Sequence, residues 1–440
     1  MTTFDPLFVP EELRDAVSGR AWLAAMLDVE RALANAGSLA GVVPASAAAA
    51  IAEACASAAF EWEELLTEAR AVGNPAEPLA RALAASVADD VSRFVHLGAT
   101  SQDVMDTAAM IVARRALELV LEEARRVARA CAALARTYRD TPMAGRTLLQ
   151  QAVPTTFGAK AAGWLVAVVD ARRRLVELRE HGLAAQLGGA AGTLATLGDR
   201  GVDVLRLFAA EVDLVEPAVP WHTNRVRIAE LGAALGIFAG VMAKIGLDLA
   251  LLAQTEIGEV REHGGGSSTM PQKRNPLGSV LARACARTAR GHASVLEATL
   301  VQEHERAAGA WHAEWGALSG SLAYAGGAAA ALAGALESLE VDTARMRANL
   351  DLTEGLVMAE RLSLLAMETM GRAGAQELLA RASREAASAT GTLRDALLAD
   401  PESPFSAVDL DTALEPTAYL GSAGAFVDRA LALDVSEEEE

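Results

Sequence analysis

A glycine-led segment, GGGSSTMPQKRNP, runs from Gly264 to Pro276 and brings hydroxyl, ammonium and amide side chains together. Its lysine, Lys273, is one of only three in the chain, against 36 arginines. The glycines disfavour a rigid helix, and Pro276 is typical of a first helical residue. We predict a mobile loop before a helix N-terminus, where backbone donors, the helix dipole and the ammonium converge on an anion. An ordinary Gly-Ser surface loop is the alternative.

Four further blocks combine polar side chains in an otherwise apolar chain. They read VHLGATSQDVMDTA from Val95, GRTLLQQAVPTTFG from Gly145, PWHTNR from Pro220 and QEHERAAGAWHAEW from Gln302. In the last block His304 and His312 are eight residues apart, so on a helix they share a face. That face could bind an acid or a metal, but no carboxylate-histidine spacing matches a known site, and we predict no metal. A plain helix N-cap near Thr100 and a structural His96 are the alternatives for the first block.

The composition indicates a soluble, helical and acidic protein. The net charge of -19 disfavours nucleic acid and anionic lipid as partners, whereas a few local cations still permit an anionic substrate. The three cysteines have neither metal spacing nor an even disulfide set, which favours a reducing cytoplasm. The N-terminus lacks the apolar core of a signal peptide. The longest apolar run, residues 231–243, is shorter than the roughly 20 residues that span a bilayer, so we predict no membrane.

Helical periodicity dominates, and strand-like alternation is almost absent. Three segments are predicted as long helices: 106–138, 224–260 and 276–303. In the second, Gly232, Gly236 and Gly240 are spaced by four, which permits close packing along one face. We predict an elongated central bundle with flanking helical domains, and place the domains at 1–105, 106–350 and 351–440.

The opening segment resembles the signature GSSxMPxKxNP of the fumarase/aspartase superfamily. HLGATSQDVMDTA resembles the first conserved block of that superfamily, and RTLLQQAVPTTFG the second. Within it, the strings PWHTNR, QEHERAAGAWHAEW, NLDLTEGLVMAE and AYLGSA resemble the 3-carboxy-cis,cis-muconate cycloisomerases, the lactonizing branch. The resemblance extends from about residue 5 to about residue 430. It implies an all-α fold whose long helices form a twenty-helix core in a homotetramer, with each active site shared by three subunits.

The resemblance also implies roles for individual residues. The substrate is a small polycarboxylate that supplies its own nucleophile and electron sink, so no cofactor is needed. Ser267 is the expected proton-transferring serine, Lys273 supports it electrostatically, and His312 is the next candidate for proton transfer. Carboxylates of the substrate are expected to bind among the remaining polar residues of the blocks: His96, Thr100, Ser101, Gln102, Arg146, Gln150, His222, Ser268, Met270, Asn275 and Arg306.

Two positions depart from the family pattern. Adenylosuccinate lyases carry a catalytic histidine in the second block, where this chain has Leu148, which cannot transfer a proton. The cycloisomerases usually have tryptophan there, and often histidine in place of Gln272. The segment VREH before the glycines is also short. A lyase of the same fold, acting on an aspartate-like or nitrosuccinate substrate, is therefore the alternative to a cycloisomerase. An inactive structural protein is a third hypothesis, which the intact Ser267, Lys273 and Asn275 argue against.

Overall fold

The computed structural model describes residues 3–266, 269–388 and 391–438. Its secondary structure is almost entirely helical. The helices longer than 20 residues are Gly19–Leu39, Ser101–Thr137, Phe157–Glu177, Val226–Leu252, Leu277–Ala298, Ala310–Glu337 and Ala359–Ser388. Shorter α-helices are Asp5–Phe8, Glu11–Ala16, Ala45–Ala56, Trp62–Val72, Ala76–Ala85, Asp89–Ser92, Gly201–Glu211, Thr343–Asp351, Leu393–Ala399, Ala407–Ala413 and Ala423–Glu438. A π-helix covers Leu178–Gly182, and 3-10 helices cover Ala195–Arg200, Leu356–Met358 and Pro416–Tyr419. The all-α prediction is confirmed.

The three predicted long helices exist, with shifted ends. The first begins five residues earlier, at Ser101, because Thr100 and Asp103 cap it: the Asp103 carboxylate accepts the Thr100 backbone N–H at 2.9 Å. The second ends at Leu252 rather than residue 260, and the turn that follows includes Gly258 with a φ of +63°. The third covers Leu277–Ala298. The 28-residue helix Ala310–Glu337 was not predicted as a long helix.

Two short antiparallel strand pairs depart from the helical prediction, and the first of them is a hairpin. Pro142–Thr147 pairs with Gln150–Thr156, and Val260–Arg261 pairs with Glu340–Val341. In the hairpin a two-residue turn places Leu148 and Leu149 at φ +52° and +67°. Both central residues of a type I′ turn have positive φ, a role that usually falls to Asn or Gly. Because leucines occupy these two positions, the sequence has no Asn or Gly to indicate the turn, and it did not predict this hairpin.

The chain divides into two compact units. The first comprises Met1–Arg125, Asp170–Lys244 and Leu281–Ala331; the second comprises Arg126–Val169, Ile245–Val280 and Leu332–Glu440. In the first unit a hydrophobic core includes Ala34, Val43, Ala47, Ile51 and Leu83. In the second, a core includes Leu362, Leu378, Leu393, Leu397 and Leu410. The division into three domains predicted from the sequence stays a prediction.

Small residues bring helices into close contact within the first unit. A Cβ atom on Gly232 would lie 2.9 Å from Leu296, and one on Gly236 would lie 3.3 Å from Ala293, so both glycines pack against the helix Leu277–Ala298. A Cβ atom on Gly240 would meet no described atom within 4 Å. The predicted close packing therefore holds for two of the three glycines.

The helix Val226–Leu252 is long and apolar enough to cross a membrane by length and composition alone. Glu230, Lys244 and Asp248 lie along it, and Phe238 and Met242 are fully buried. A core helix of a soluble protein passes the same test. The buried side chains favour that interpretation, so this helix indicates no membrane.

Candidate active site

Asp103 is the hydrogen-bonding centre of a buried polar cluster in the first unit. Its side chain, in a residue only 1% exposed, accepts from His222 Nε2 at 2.7 Å. It also accepts from the backbone N–H groups of Gly188 and Gly189 at 3.0 and 2.8 Å. Gln186 Nε2 and the Thr100 N–H complete the set at 3.2 and 2.9 Å. These groups form the Asp103 cluster: Thr100, Asp103, Gln186, Gly188, Gly189 and His222.

A glycine allows the imidazole to enter this cluster. A Cβ atom on Gly188 would lie 2.8 Å from His222 Cε1 and 2.7 Å from Pro220 Cβ. Contacts that short are excluded, so only glycine lets the PWHTNR segment pack against this backbone. The His222 side chain is 4% exposed, and its ring contacts the Asp103 carboxylate. The sequence predicted His222 as a substrate ligand; its Nε2 is bonded to Asp103 instead of facing an open space.

Gln102 joins the Asp103 cluster to an arginine. Its Nε2 donates to the His222 carbonyl at 2.8 Å, and its Oε1 accepts from Arg306 Nε at 3.1 Å. Arg306 Nη2 donates to the Ala190 carbonyl at 3.2 Å. Gln102 itself is buried, whereas Arg306 is exposed, so the amide holds a cation at the edge of the cluster. The structure thus brings together four predicted site residues of the first unit: Thr100, Gln102, His222 and Arg306.

A second buried group, the Arg225 cluster, lies beside the first. The Arg225 guanidinium is fully buried and pairs with Asp106 at 2.8 and 2.9 Å and with Glu314. Trp311 Nε1 donates to Asp106 at 2.9 Å, and Gln302 Nε2 donates to Glu314 at 3.0 Å. Burial raises the pKa of Glu314, although Arg225 opposes that rise. Because Gln102 Nε2 also contacts Asp106 at 3.2 Å, the two clusters form one hydrogen-bonded network.

His96 is a histidine of this region whose pKa is shifted by its neighbours. Its Nδ1 lies 2.6 Å from Glu30 Oε1, and Glu30 is 1% exposed. Burial opposes protonation of the ring, but the Glu30 carboxylate outweighs it, with a smaller contribution from Asp103, and the pKa of His96 is raised above 6.5. Its φ of +58° is rare for a residue with a side chain. His96 is therefore a cation over a wider pH range than an ordinary histidine.

We expect Glu30→Gln to lower the pKa of His96, measured by histidine-selective NMR. A histidine whose folded pKa is raised stabilises the fold most below pH ~6.5, and this contribution disappears as pH rises through the raised pKa. The Tm of the wild type should therefore fall in that window, and the fall should be smaller in Glu30→Gln. His263→Gln is the matched control, because His263 and Glu340 form an exposed pair of 70% and 51% exposure. An unchanged His96 pKa in Glu30→Gln contradicts the assignment.

The predicted helical face with two histidines is wrong. His304 precedes the helix Ala310–Glu337 and adopts a φ of +47°, and its carbonyl accepts from Thr223 Oγ1 at 2.9 Å. His312 lies in the first turn of the helix, exposed, with its ring 5.0 Å from Trp311 and 5.1 Å from Trp315. Ser101, the first residue of its own helix, is half-buried.

In the second unit, Arg146 forms an ion pair with a buried carboxylate. Its guanidinium contacts Glu259 in a bidentate pair at 2.9 and 2.6 Å, and Glu259 also accepts from Asn349 Nδ2 at 2.7 Å. Arg146 was predicted to bind substrate, whereas these contacts hold the hairpin. The hairpin tip is open: Leu148 and Leu149 are 98% and 80% exposed, and Gln150 is exposed beside them.

The glycine-led loop is closed at its base by its own backbone. Gly266 and Arg274 form an antiparallel bridge, and the Asn275 N–H and Nδ2 donate to the Gly265 carbonyl at 3.0 and 2.9 Å. A Cβ atom on Gly265 would lie 2.2 Å from the Asn275 carbonyl, and its φ is +66°, so glycine is required. Lys273 and Met270 lie in the exposed part of the loop. The predicted site residues Ser267 and Ser268 lie outside the described residues.

The N-terminus of the helix Leu277–Ala298, which follows this loop, binds a carboxylate of the chain itself. The Glu262 carboxylate accepts from the N–H groups of Gly278 and Ser279 at 2.8 and 3.2 Å, and from Ser279 Oγ. Glu262 is 5% exposed. The predicted anion site at this terminus is therefore wrong, because a side chain of the VREH segment fills it.

Sequence reasoning missed the acidic residues at the centre of the site. Asp103 and Asp106 are three residues apart in the first turns of a long helix, where residues 102–113 are all buried, and Arg225 follows PWHTN directly. Buried charges occur almost only in pairs, so acids on an apolar helical face could have signalled a buried cation. Their partners, Arg225 and His222, are more than 100 residues away, which no local pattern reveals.

The comparisons with known proteins agree with this architecture. The family described as lyase matches residues 10–291, and the adenylosuccinate lyase C-terminus matches residues 355–430. The chain belongs to the fumarase/aspartase superfamily. The first match covers more than half of the chain, and it includes all the polar blocks except QEHERAAGAWHAEW.

Superfamily members with assigned activities resemble the whole chain. The 3-carboxy-cis,cis-muconate cycloisomerase of Bradyrhizobium diazoefficiens is 44% identical over 98% of both chains. The nitrosuccinate lyase of Streptomyces davaonensis is 46% identical over 94% of this chain and 91% of that protein. The crystal structure of the 3-carboxy-cis,cis-muconate lactonizing enzyme from Pseudomonas putida superposes with a TM-score of 0.93 at 41% identity, covering 99% of each chain.

Proposed function

We propose that this chain is a cycloisomerase that converts 3-carboxy-cis,cis-muconate to 4-carboxymuconolactone. The observation that carries the proposal is the full-length similarity, at 44% identity, to a cycloisomerase of that name. The reaction is an internal addition. One carboxylate of the substrate attacks an alkene carbon, the adjacent carbon accepts the electron pair as a carboxylate-stabilised carbanion, and a proton quenches it. No atom is lost and no oxidant is needed, so the residues alone provide the chemistry.

The polar network of the first unit supports binding of a polycarboxylate. Arg306 offers a guanidinium held by Gln102, and His96 offers an imidazolium favoured by Glu30. Thr100 and Ser101 add hydroxyl groups at the start of a 37-residue helix, where the helix dipole favours anions. Three carboxylates therefore have cations and donors of the required kind. Preorganised donors of this sort stabilise charge that develops in the transition state.

We assign the delivery of the proton to the glycine-led loop of the second unit. Ser267 is proposed to protonate the carbanion, and the Lys273 ammonium to stabilise the serine oxygen between turnovers. Because Glu262 occupies the neighbouring helix terminus, we assign that role to the Lys273 ammonium rather than to the helix dipole. His312 is the second candidate for proton transfer. Ser268, Met270, Asn275, Arg146 and Gln150 stay predicted substrate contacts.

A nitrosuccinate lyase is the second candidate, because one such enzyme is 46% identical to this chain. That reaction runs in the elimination direction: a proton leaves the carbon beside a carboxylate, and nitrite leaves the neighbouring carbon to give fumarate. The same carbanion stabilisation serves both reactions. The two candidates therefore differ in the substrate that the site accepts rather than in its basic chemistry.

A direct comparison of substrates separates the two candidates. The purified enzyme should consume 3-carboxy-cis,cis-muconate, seen as loss of the diene absorbance, with a kcat/KM well above that for nitrosuccinate, followed as nitrite release. Adenylosuccinate serves as the control and should not be cleaved, since Leu148 replaces the catalytic histidine of those lyases. Nitrite release with no loss of diene absorbance would assign the chain to the lyases.

We also propose a cytoplasmic homotetramer whose active sites each combine residues of three subunits. Apolar side chains along two long helices support an interface: Ile237 is 63% exposed, and Val280 and Val295 are 46% and 38% exposed. The exposed Leu148 and Leu149 have the same character, and an apolar surface of this extent is typical of association.

Light scattering should give a mass of about four times 45.7 kDa in dilute neutral buffer. Ile237→Lys places a charge on the proposed interface and should reduce both the mass and the turnover. Val202→Lys, at an apolar position of a shorter helix that is 73% exposed, is the matched control and should leave both unchanged. A fully active monomer would refute the shared site.

A further inference from the structure

Residues 259–262, which precede the glycine-led loop in the second unit, carry two buried carboxylates. Glu259 is completely buried and Glu262 is 5% exposed, and Val260, which follows Glu259, is buried as well. Ionised side chains are almost never this buried unless they are paired. The partners of the two acids therefore show what this connecting segment, residues 259–262, holds together.

Glu259 attaches the connecting segment to the hairpin. Its carboxylate accepts from both terminal nitrogens of Arg146 at 2.9 and 2.6 Å, and from Asn349 Nδ2 at 2.7 Å. Its main chain is bonded too: the N–H donates to the Leu252 carbonyl at 2.9 Å, and the carbonyl accepts from the Asp342 N–H at 3.0 Å. Glu259 thus bonds to the hairpin and to two helices through its side chain and its main chain, which leaves it little freedom to move.

Glu262 attaches the connecting segment to the far side of the loop. Its carboxylate accepts from the N–H groups of Gly278 and Ser279 at 2.8 and 3.2 Å, so it binds the chain just after the loop ends. Inside the loop, the Asn275 N–H donates to the Gly265 carbonyl at 3.0 Å. The base of the loop is therefore bonded to the connecting segment, and the connecting segment is bonded to the hairpin. A displacement of the hairpin is transmitted to the loop along this path.

We propose that Glu259 is a positioning residue that holds the hairpin and the glycine-led loop in a fixed relation. The hairpin carries Gln150 and the loop carries Lys273, and both have roles in the proposed function, so the inference rests on that function. The part of Arg146 in this coupling is separate from its predicted contact with substrate. A misplacement of about 1 Å in groups of this kind costs about 100-fold in rate.

Three variants separate positioning from stability: Arg146→Met, Glu259→Met and the double variant. Arg146→Met leaves a buried carboxylate without its cation, so it should lower Tm the most. Glu259→Met should lower Tm less, because the Arg146 side chain is 20% exposed and can be hydrated. The double variant removes both charges and nearly keeps the volume, so much of the Tm should return. Asn349 Nδ2 still has the Ile257 carbonyl at 2.9 Å.

Turnover should not return with Tm. With the substrate that the wild type converts fastest, kcat should be about 100-fold low in both Glu259→Met and the double variant, because neither bonds the hairpin to the connecting segment. Recovery of kcat together with Tm in the double variant would overturn the proposal, since the pair would then be only structural. Normal kcat with a raised KM in Glu259→Met would also overturn it, because that result fits lost substrate contacts.

Hydrogen exchange tests the same coupling without substrate. In the double variant the amides of residues 269–276 should exchange about tenfold faster than in the wild type, because local opening of the loop becomes easier. Unchanged exchange there would overturn the coupling even if turnover were lost. Should the wild type convert neither 3-carboxy-cis,cis-muconate nor nitrosuccinate, the proposed function would fail, whereas faster exchange would still support the role of Glu259.

Arg139→Met/Asp428→Asn is the matched control for both measurements. Arg139 and Asp428 form another bidentate pair of the second unit, at 2.8 and 2.6 Å, and their side chains are 38% and 58% exposed. Loss of this surface pair should change neither the exchange of residues 269–276 nor kcat. Equal effects of the control and of the double variant at residues 114 positions or more from the loop's own contacts would show a general loosening of the unit and overturn the specific role of Glu259.

Discussion

Lys273→Met is expected to reduce kcat by about 100- to 1,000-fold while leaving the mass of the assembly and the Tm nearly unchanged. The side chain is exposed, and its ammonium has no carboxylate partner among the described residues, so it contributes little to the fold. Methionine keeps the apolar stem and removes only the charge. If that charge stabilises the serine oxygen and the developing carbanion, the loss falls on the transition state rather than on substrate binding.

Arg274→Met is the matched control, because Arg274 is the neighbouring exposed cation of the same loop. It should keep near-normal turnover.

Ser267→Ala should go further than Lys273→Met, blocking the proton transfer while substrate still binds. Normal turnover in Ser267→Ala would move the proton to another residue, with His312 the first to examine. A Lys273→Met enzyme with unchanged kcat would leave the lysine as a solvated loop residue, for which an effect of ~0–1 kcal/mol on stability is typical.

Asp103→Asn is expected to lower kcat/KM by about 100-fold and to destabilise the protein by about 3 kcal/mol. Asparagine has nearly the same shape, but one carboxylate oxygen becomes an NH₂ group. The Asp103 cluster presents five donors to that carboxylate, so the new NH₂ group faces another N–H and leaves buried donors unpaired. His222 and the backbone of Gly188 and Gly189 then lose their common anchor, and Gln102 and Arg306 shift with them.

Asp28→Asn is the control for this change. Asp28 pairs with Arg31 and Arg115 at the surface and is 36% exposed, so its loss should cost at most about 1 kcal/mol. Thermal unfolding and steady-state kinetics are to be compared at one protein concentration, because assembly contributes to Tm. If Asp103→Asn behaved like Asp28→Asn, the cluster would not organise the site.

The sequence predicted those features that depend on local pattern. Helical periodicity gave the three long segments, and the polar blocks contain the groups that the structure joins around Asp103. Features that depend on distant partners were missed. The pairing of Arg225 with Asp106 and Glu314 links residues about 90 to 120 positions apart, and nothing near PWHTNR indicates it. The hairpin at Leu148 was missed because its left-handed turn has leucines where glycine or asparagine is usual.

Competition for the same donors explains one further error and one contact that the sequence did not predict. A helix N-terminus attracts any nearby anion, and composition cannot distinguish a substrate from Glu262, which lies closer in the chain. Arg146 is similar: its substrate role stays a prediction, and the sequence did not indicate that the buried Glu259 pairs with both of its terminal nitrogens. In both cases a buried carboxylate of the chain itself satisfies the donors. Such pairs require the tertiary structure to be seen.

Proton delivery to carbon is the central claim, and one measurement tests it directly. The enzyme is to be incubated with 3-carboxy-cis,cis-muconate in D₂O, and the product examined by ¹H NMR. The account predicts a lactone carrying a single deuterium on the carbon next to the carbon that the carboxylate attacks, in one configuration, because an enzyme group delivers the proton to one face. Unchanged muconate, or a lactone deuterated equally on both faces as in an unassisted reaction, would contradict it.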